Sequence, residues 1–227
     1  MRKWEELPAD MRVPEVRKYY DILQRHKGSL ILKRVFDIII AGLLLILLSP
    51  VLLALSILIK ADSKGPVFFR QVRVTRYGKP FRIFKFRTMV DHADQMGTQV
   101  TTKGDARVTK LGKKLRRCRL AELPQLLNIL TGDMTFVGTR PEVEKYVRYY
   151  TNEMKATLLL PAGVTSMTSI EYKDEERLLQ SAEDADEVYI QTILPEKMRY
   201  NLEAIEKFSF FRDIATMFAT VKAVTGK

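Results

Sequence analysis

Apolar residues follow three different rhythms along this 227-residue chain. Residues 13–24 (VPEVRKYYDILQ) space them for one face of a helix, with Pro14 suited to its first turn and Gly28 to its stop. Trp4, Tyr19 and Tyr20 stand beside basic residues, an arrangement for a lipid headgroup layer or for packing on a domain. Residues 38–59 (IIIAGLLLILLSPVLLALSILI) then run 22 positions without a charge. Residues 66–89 instead alternate apolar and basic side chains, predicting short strands at Val67–Phe69 and Phe81–Phe86 around a Tyr77-Gly78 turn. A polar loop is expected over 90–106, helices over Lys110–Arg119 and Leu123–Leu130, and a turn at Thr131-Gly132-Asp133. From 141 onward the pattern is mainly helical. The last helix, Phe208–Val224, sets Phe211, Ile214, Phe218 and Val221 on one face, read as core packing with membrane contact as the alternative.

The uncharged run matches a hydrocarbon core in length: a straight helix of 22 residues extends ~33 Å against ~30 Å. It does not read as a signal peptide, because 37 residues precede it and no small-residue cleavage site follows. Ser49-Pro50 falls in its middle, and proline removes a backbone donor and kinks a helix. The halves either side would reach only ~18 Å and ~14 Å. Lys33 and Arg34 precede the run and Lys60 and Lys64 follow it, so the positive-inside rule sends both flanks to the cytoplasmic side. A re-entrant helix broken at Ser49-Pro50 satisfies both observations, with Ser49 bonding a carbonyl the kink frees; an ordinary kinked span is the competing form. Asp37 is expected at the interface, paired with Lys33 or Arg34.

Charge sharpens this picture. The formal net charge of +11 is uneven: residues 60–120 carry 17 basic and 4 acidic side chains, whereas 121–227 carry 12 and 17. The basic block follows directly on the apolar run, where phosphates of lipid, nucleotide or nucleic acid are the candidate partners. One cysteine, Cys118, excludes an internal disulfide framework, and with only two histidines a structural zinc cluster is not expected. No recognition helix or stacking platform supports nucleic acid.

No P-loop, GxGxxG, HExxH or GxSxG motif is present. What remains is a crowd of cations, including Lys85, Arg87, Arg107, Lys110, Arg116, Arg117 and Arg119, ahead of Glu122, with Arg140 after it. Cations converging on a carboxylate beside a membrane suit a magnesium-bound pyrophosphate; a solvated charged face is the plainer alternative.

Five segments occur here in one order: KRVFD (33–37), the apolar run broken at Ser49-Pro50, GPVFFRQVRV (65–74), GKPFRIFKFRTM (78–89) and AELPQLLNILTGDMTFVGTRPE (121–142). In this the chain resembles the bacterial sugar transferases that act as monotopic polyprenyl-phosphate phosphoglycosyl transferases. The resemblance is strong over about residues 30–145. It implies an α+β, mainly helical monotopic protein: an amphipathic segment (1–32), a re-entrant membrane helix (33–60) and a cytoplasmic catalytic domain (61–227). It implies location on the cytoplasmic face of the bacterial inner membrane. The implied reaction moves a sugar-1-phosphate from a UDP-sugar to undecaprenyl phosphate, releases UMP, and passes through a phosphosugar carried on an aspartate. UDP-sugar, polyprenyl phosphate, membrane lipids and Mg²⁺ are the implied partners, nucleic acid is not one, and a homodimer is compatible with it.

Carried over by position, the metal-binding catalytic glutamate is Glu122, and the phosphate- or substrate-binding cations are Lys85, Arg87, Arg116 and Arg140. The nucleophilic aspartate falls on Ala121. A methyl group cannot attack phosphorus. The chain is therefore expected to bind substrate and turn over slowly or not at all, unless Asp91, Asp94 or Asp133 substitutes. A non-catalytic nucleotide-sugar or lipid-binding partner in a glycan assembly complex is the alternative. A second departure lies at Leu160-Pro161-Ala162-Gly163-Val164-Thr165-Ser166, where many family members carry an arginine; no sugar identity follows from this region.

Overall fold

The computed structural model describes residues 1–93, 96, 105–171 and 185–225. Helix α1 (Pro14–Arg25) carries Pro14 in its first turn and buries Val16, Tyr19, Tyr20 and Leu23. These pack on Ala156 and Leu159 and on Leu202, Ile205 and Phe208 near the C-terminus. Burying such side chains stabilises the fold by roughly 1.5–3 kcal/mol each. Trp4 joins the same cluster, so the aromatic residues of this segment serve domain packing rather than a headgroup layer. The stop comes at His26, whose φ of −106° and ψ of 22° leave the helical region, and not at Gly28.

Gly28 instead lies inside α2 (Lys27–Asp62), a single helix of 36 residues that continues through Pro50. The expected break is thus a proline within one helix. Pro50 cannot donate to the carbonyl of Ile46, and the hydroxyl of Ser49 donates to it instead at 2.8 Å.

Both halves of α2 dock on the same domain. Arg34 donates to the carbonyls of Ile129 (2.6 Å) and Leu130 (3.0 Å). Asp37 is buried and accepts from Thr135 Oγ1 (2.6 Å) and the Phe136 amide (3.3 Å). Lys33 pairs with Asp213 at 2.6 Å and caps the Val137 carbonyl at 2.8 Å. The expected pairing of Asp37 with Lys33 or Arg34 does not form, because each of the three has other partners in the domain. Beyond Pro50, Leu55 and Ile59 pack on Phe86, Leu115 and Ala121. With both ends tied to one body, both basic flanks lie on one side of the bilayer. The chain is a monotopic membrane protein with its domain on the cytoplasmic side.

Strands β1 (Phe68–Val74) and β2 (Pro80–Phe86) form an antiparallel hairpin in which Phe68 faces Phe86 and Val74 faces Pro80. The first runs on past its apolar start because Arg70 and Arg73 take their places in the ladder opposite Phe84 and Phe81, and the second gains Pro80 opposite Val74. Tyr77 (φ 62°) and Gly78 (φ 72°) make the turn with two successive left-handed residues, the geometry tight hairpins favour. Helix α3 (Lys110–Arg117) starts where Thr109 Oγ1 accepts the Gly112 amide at 2.9 Å. Helix α4 (Gln125–Thr131) ends at Gly132 in the left-handed region. Asn128 joins α4 to the hairpin, accepting from the Phe84 amide (2.8 Å) and donating to the Arg82 carbonyl (3.1 Å).

The sequence pattern did not predict β3 (Met134–Val137) and β4 (Ala162–Thr165), a parallel pair with Met134 opposite Ala162 and Val137 opposite Thr165. Gly138 and Gly163 permit it: a β-carbon on Gly163 would lie 2.2 Å from Gly138 backbone. A π-helical turn, Tyr189–Ile193, leads into α5 (Leu194–Glu206). The last helix, α6 (Phe210–Thr225), sets Phe210 edge-on to Phe36 of α2. Its expected apolar stripe is not core: Phe211 is 79% and Phe218 73% exposed, and only Ile214 is half-buried. The amphipathic period is real, but Phe211, Phe218 and Val221 are exposed, as are Ile31, Leu32 and Val35 of α2.

Candidate active site

The turn that carries the site is entered through a strained residue. After α3, Arg119 takes φ 57°, a left-handed conformation that costs a non-glycine residue on the order of 1 kcal/mol. That reversal redirects the chain into a 3₁₀ turn over Leu120–Glu122, and Leu123 and Pro124 keep helical dihedrals into α4. Ala121 is buried against Leu55, Ile59, Phe86 and Leu115, so it sits where the second half of α2 meets the domain.

Glu122, next to it, is ringed by cations. Its Oε1 accepts from Arg140 Nη2 at 2.6 Å and from Lys85 Nζ at 3.5 Å. Burial opposes ionisation of Glu122, but Arg140 and then Lys85 outweigh it and hold the carboxyl well below the usual range. Lys85 responds in the opposite sense: burial first, then Arg140 and Arg73, push its amine down to about 7 against the pull of Glu122. Arg140 reaches the centre from the segment that follows β3, and Lys85 from β2.

These residues line one cleft of about 1790 Å³. The structure brings Lys85, Arg116, Ala121, Glu122 and Arg140 to it together. Arg116 also donates from Nε to Thr88 Oγ1 at 2.9 Å. Arg87 also lines the cleft, with no hydrogen bond to Glu122 among those described. Its guanidinium donates to the carbonyls of Lys64 (2.6 Å) and Ser63 (2.7 Å), closing the last turn of α2 as a C-cap. Of the alternative nucleophiles, Asp91 lines the cleft, Asp133 is engaged by Thr131 and Lys79 outside it, and Asp94 lies outside the described residues. Ser49 and Pro50 lie within α2 and do not line the cleft.

The pattern of cations pointed to Glu122 but missed a second buried cluster on the same cleft. Glu142 Oε1 accepts from Tyr189 OH at 2.6 Å and from Lys197 Nζ at 3.4 Å, and Arg73 stands 3.9 Å from the other oxygen. Burial pushes the Arg73 guanidinium down against the pull of Glu142, whereas Lys197 and then Arg73 outweigh burial and hold the Glu142 carboxyl below its usual range. The only sequence signal was Glu142 itself, at the end of GTRPE; Tyr189 and Lys197 arrive from a distant segment.

Among the described residues no three His, Cys, Asp or Glu side chains gather as a metal cage. Glu122 supplies the one carboxylate of the 119–122 turn. Magnesium is commonly held by one or two carboxylates, with substrate phosphates and waters completing the shell, and the donors present fit that arrangement.

A family model described as bacterial sugar transferase matches residues 28–227. A UDP-N-acetylgalactosamine-undecaprenyl-phosphate N-acetylgalactosaminephosphotransferase of Aeromonas hydrophila is 35% identical over 196 residues, 85% of this chain and 43% of that protein. A UDP-glucose:undecaprenyl-phosphate glucose-1-phosphate transferase of Escherichia coli is 38% identical over 196 residues, 84% of this chain and 39% of that protein. A transferase of the same description from Caulobacter vibrioides is 35% identical over 195 residues, 85% of this chain and 69% of that protein. The chain thus spans about two fifths of the length of the first two relatives. With 200 contiguous residues matched and the 121–142 segment folded around one cleft at the membrane helix, the chain belongs to the bacterial sugar transferase family.

Proposed function

We propose that this chain binds a UDP-sugar at the cytoplasmic face of the inner membrane, with its diphosphate on Arg140, Lys85 and Arg116. The reaction of the site is transfer of sugar-1-phosphate to a polyprenyl phosphate. The relatives' descriptions support this reading, naming UDP-glucose or UDP-N-acetylgalactosamine as donor and undecaprenyl phosphate as acceptor. The cation-ringed cleft beside a membrane helix supports it independently, since guanidinium forks match phosphate oxygens.

In the first half-reaction a carboxylate attacks the phosphorus bonded to the sugar. The bond from that phosphorus to the bridging oxygen breaks, and UMP leaves with the electron pair. In the second half-reaction the phosphate of the lipid attacks the same phosphorus and releases the carboxylate. Arg140 and Lys85 balance charge that grows on the leaving phosphate. Family membership implies dependence on a divalent cation; Mg²⁺ beside Glu122 would neutralise diphosphate charge.

The observation that carries the reading is Ala121 beside Glu122 at this cleft. The chain retains the binding cations and lacks the attacking carboxylate, so it binds donor with little or no turnover. UMP release from UDP-sugars with polyprenyl phosphate, measured for the chain and for Ala121→Asp, tests this. The aspartate variant is expected to release UMP at least 100-fold faster than the parent, on the order of the loss expected for a missing nucleophile. Equal rates would overturn the reading, and no release from either with donor still bound would favour a purely binding partner in glycan assembly.

A further inference from the structure

Gln125 is 1% exposed, lines the cleft, and neither its Nε2 nor its Oε1 has a hydrogen-bond partner among the described residues. A buried primary amide without partners is costly, and such groups are scarce enough in folded proteins to require a cause. Its neighbours on α4 show none of this. Asn128, one turn on and equally buried, uses both of its side-chain atoms on the hairpin.

The residue four positions before Gln125 is Ala121. Successive i to i+3 bonds, from the Leu123 amide to the Leu120 carbonyl, Leu126 to Leu123 and Leu127 to Pro124, carry the 3₁₀ turn into α4 and set Ala121 about one turn before Gln125. Both are buried and both line the same cleft. Helical side chains tilt toward the N-terminus, so the amide of Gln125 reaches back toward position 121, where alanine offers no acceptor. We infer that Gln125 is a positioning residue for a carboxylate at position 121: its Nε2–H bonds one carboxylate oxygen and holds the other toward the cleft. The orphaned amide is the imprint of the carboxylate that Ala121 lacks. This rests on the reading of the site given above.

The test is a double-mutant cycle on the full chain in lipid nanodiscs, with Ala121→Asp and Gln125→Leu singly and together. In the parent, Gln125→Leu removes two unsatisfied atoms and leaves the melting midpoint level or higher. In the Ala121→Asp background the same change is expected to lower it by about 2–4 °C. Loss of the bond should lower kcat for UMP release by about tenfold in the Ala121→Asp background and leave KM for the UDP-sugar unchanged. A purely structural glutamine would not move kcat alone. Equal midpoint changes in both backgrounds, or an unchanged kcat, would overturn the inference. So would weaker UDP-sugar binding by Gln125→Leu in the parent, since the amide would then serve substrate. If Ala121→Asp releases no UMP, the reading of the site fails first, while the midpoint cycle still decides the role of Gln125.

Discussion

Arg140 reaches Glu122 across 18 residues of sequence to place Nη2 at 2.6 Å from Oε1. The contact joins the segment after β3 to the turn after α3, and it fixes the one carboxylate beside Ala121. Because the carboxyl of Glu122 is held below its unfolded value of about 4.5, the pair stabilises the fold above that pH. The contribution is lost as pH falls further. Arg140→Met should flatten stability below about pH 4.5 and cost about 2 kcal/mol at neutral pH. Thermal midpoints between pH 3 and 7 give the comparison.

Lys85 has the reverse signature. Its amine is lowered to about 7, whereas the unfolded chain keeps the proton to about 10.5. The unfolded state binds more protons between those values, so stability should rise with pH across that window. Lys85→Met is expected to remove the rise, as read from midpoints at pH 7 and 9.5. Acylation followed by peptide mass spectrometry should find Lys85 half-reactive near pH 7 and shielded by UDP-sugar.

Asp37 ties α2 to β3 through Thr135 and the Phe136 amide. Asp37→Ala strands both donors in a buried place and should cost about 2–4 kcal/mol. Asp37→Asn keeps one acceptor and should lose less. Unfolding in detergent monitors both variants, and equal losses would contradict the double role assigned to the carboxylate.

In α2, Ser49→Ala leaves the Ile46 carbonyl without the hydroxyl that replaces the missing proline donor. The expected loss is about 1 kcal/mol. Adding Pro50→Ala restores a backbone N–H to that carbonyl, so the double variant should be more stable than Ser49→Ala alone. Midpoints in nanodiscs would show the reversal, and additive losses would count against it.

Long elements were legible wherever one local rule set them. The pattern located α1, α3, α4 and the left-handed turn at Tyr77-Gly78 because helical period, caps and a tight turn act within a few residues. It missed β3 and β4 because each is four residues long and pairs with residues 28 positions away, through two glycines rather than through alternation. The stripe on α6 had the right period and the wrong side, since period alone does not distinguish a core from a lipid-facing surface. At the site, Glu122, Lys85, Arg116 and Arg140 were found from charge and order, and all four line the cleft. Cation density did not reveal that the Arg87 guanidinium, which also lines the cleft, bonds the end of α2. Gln125 carried no charge and drew no attention, and its meaning lies in the bonds it lacks.

Arg87 closes the final turn of α2, and Lys85, two residues before it on the same chain, reaches Glu122. The end of the membrane helix and the carboxylate of the cleft are therefore held by one segment of three residues, with no flexible linker between them.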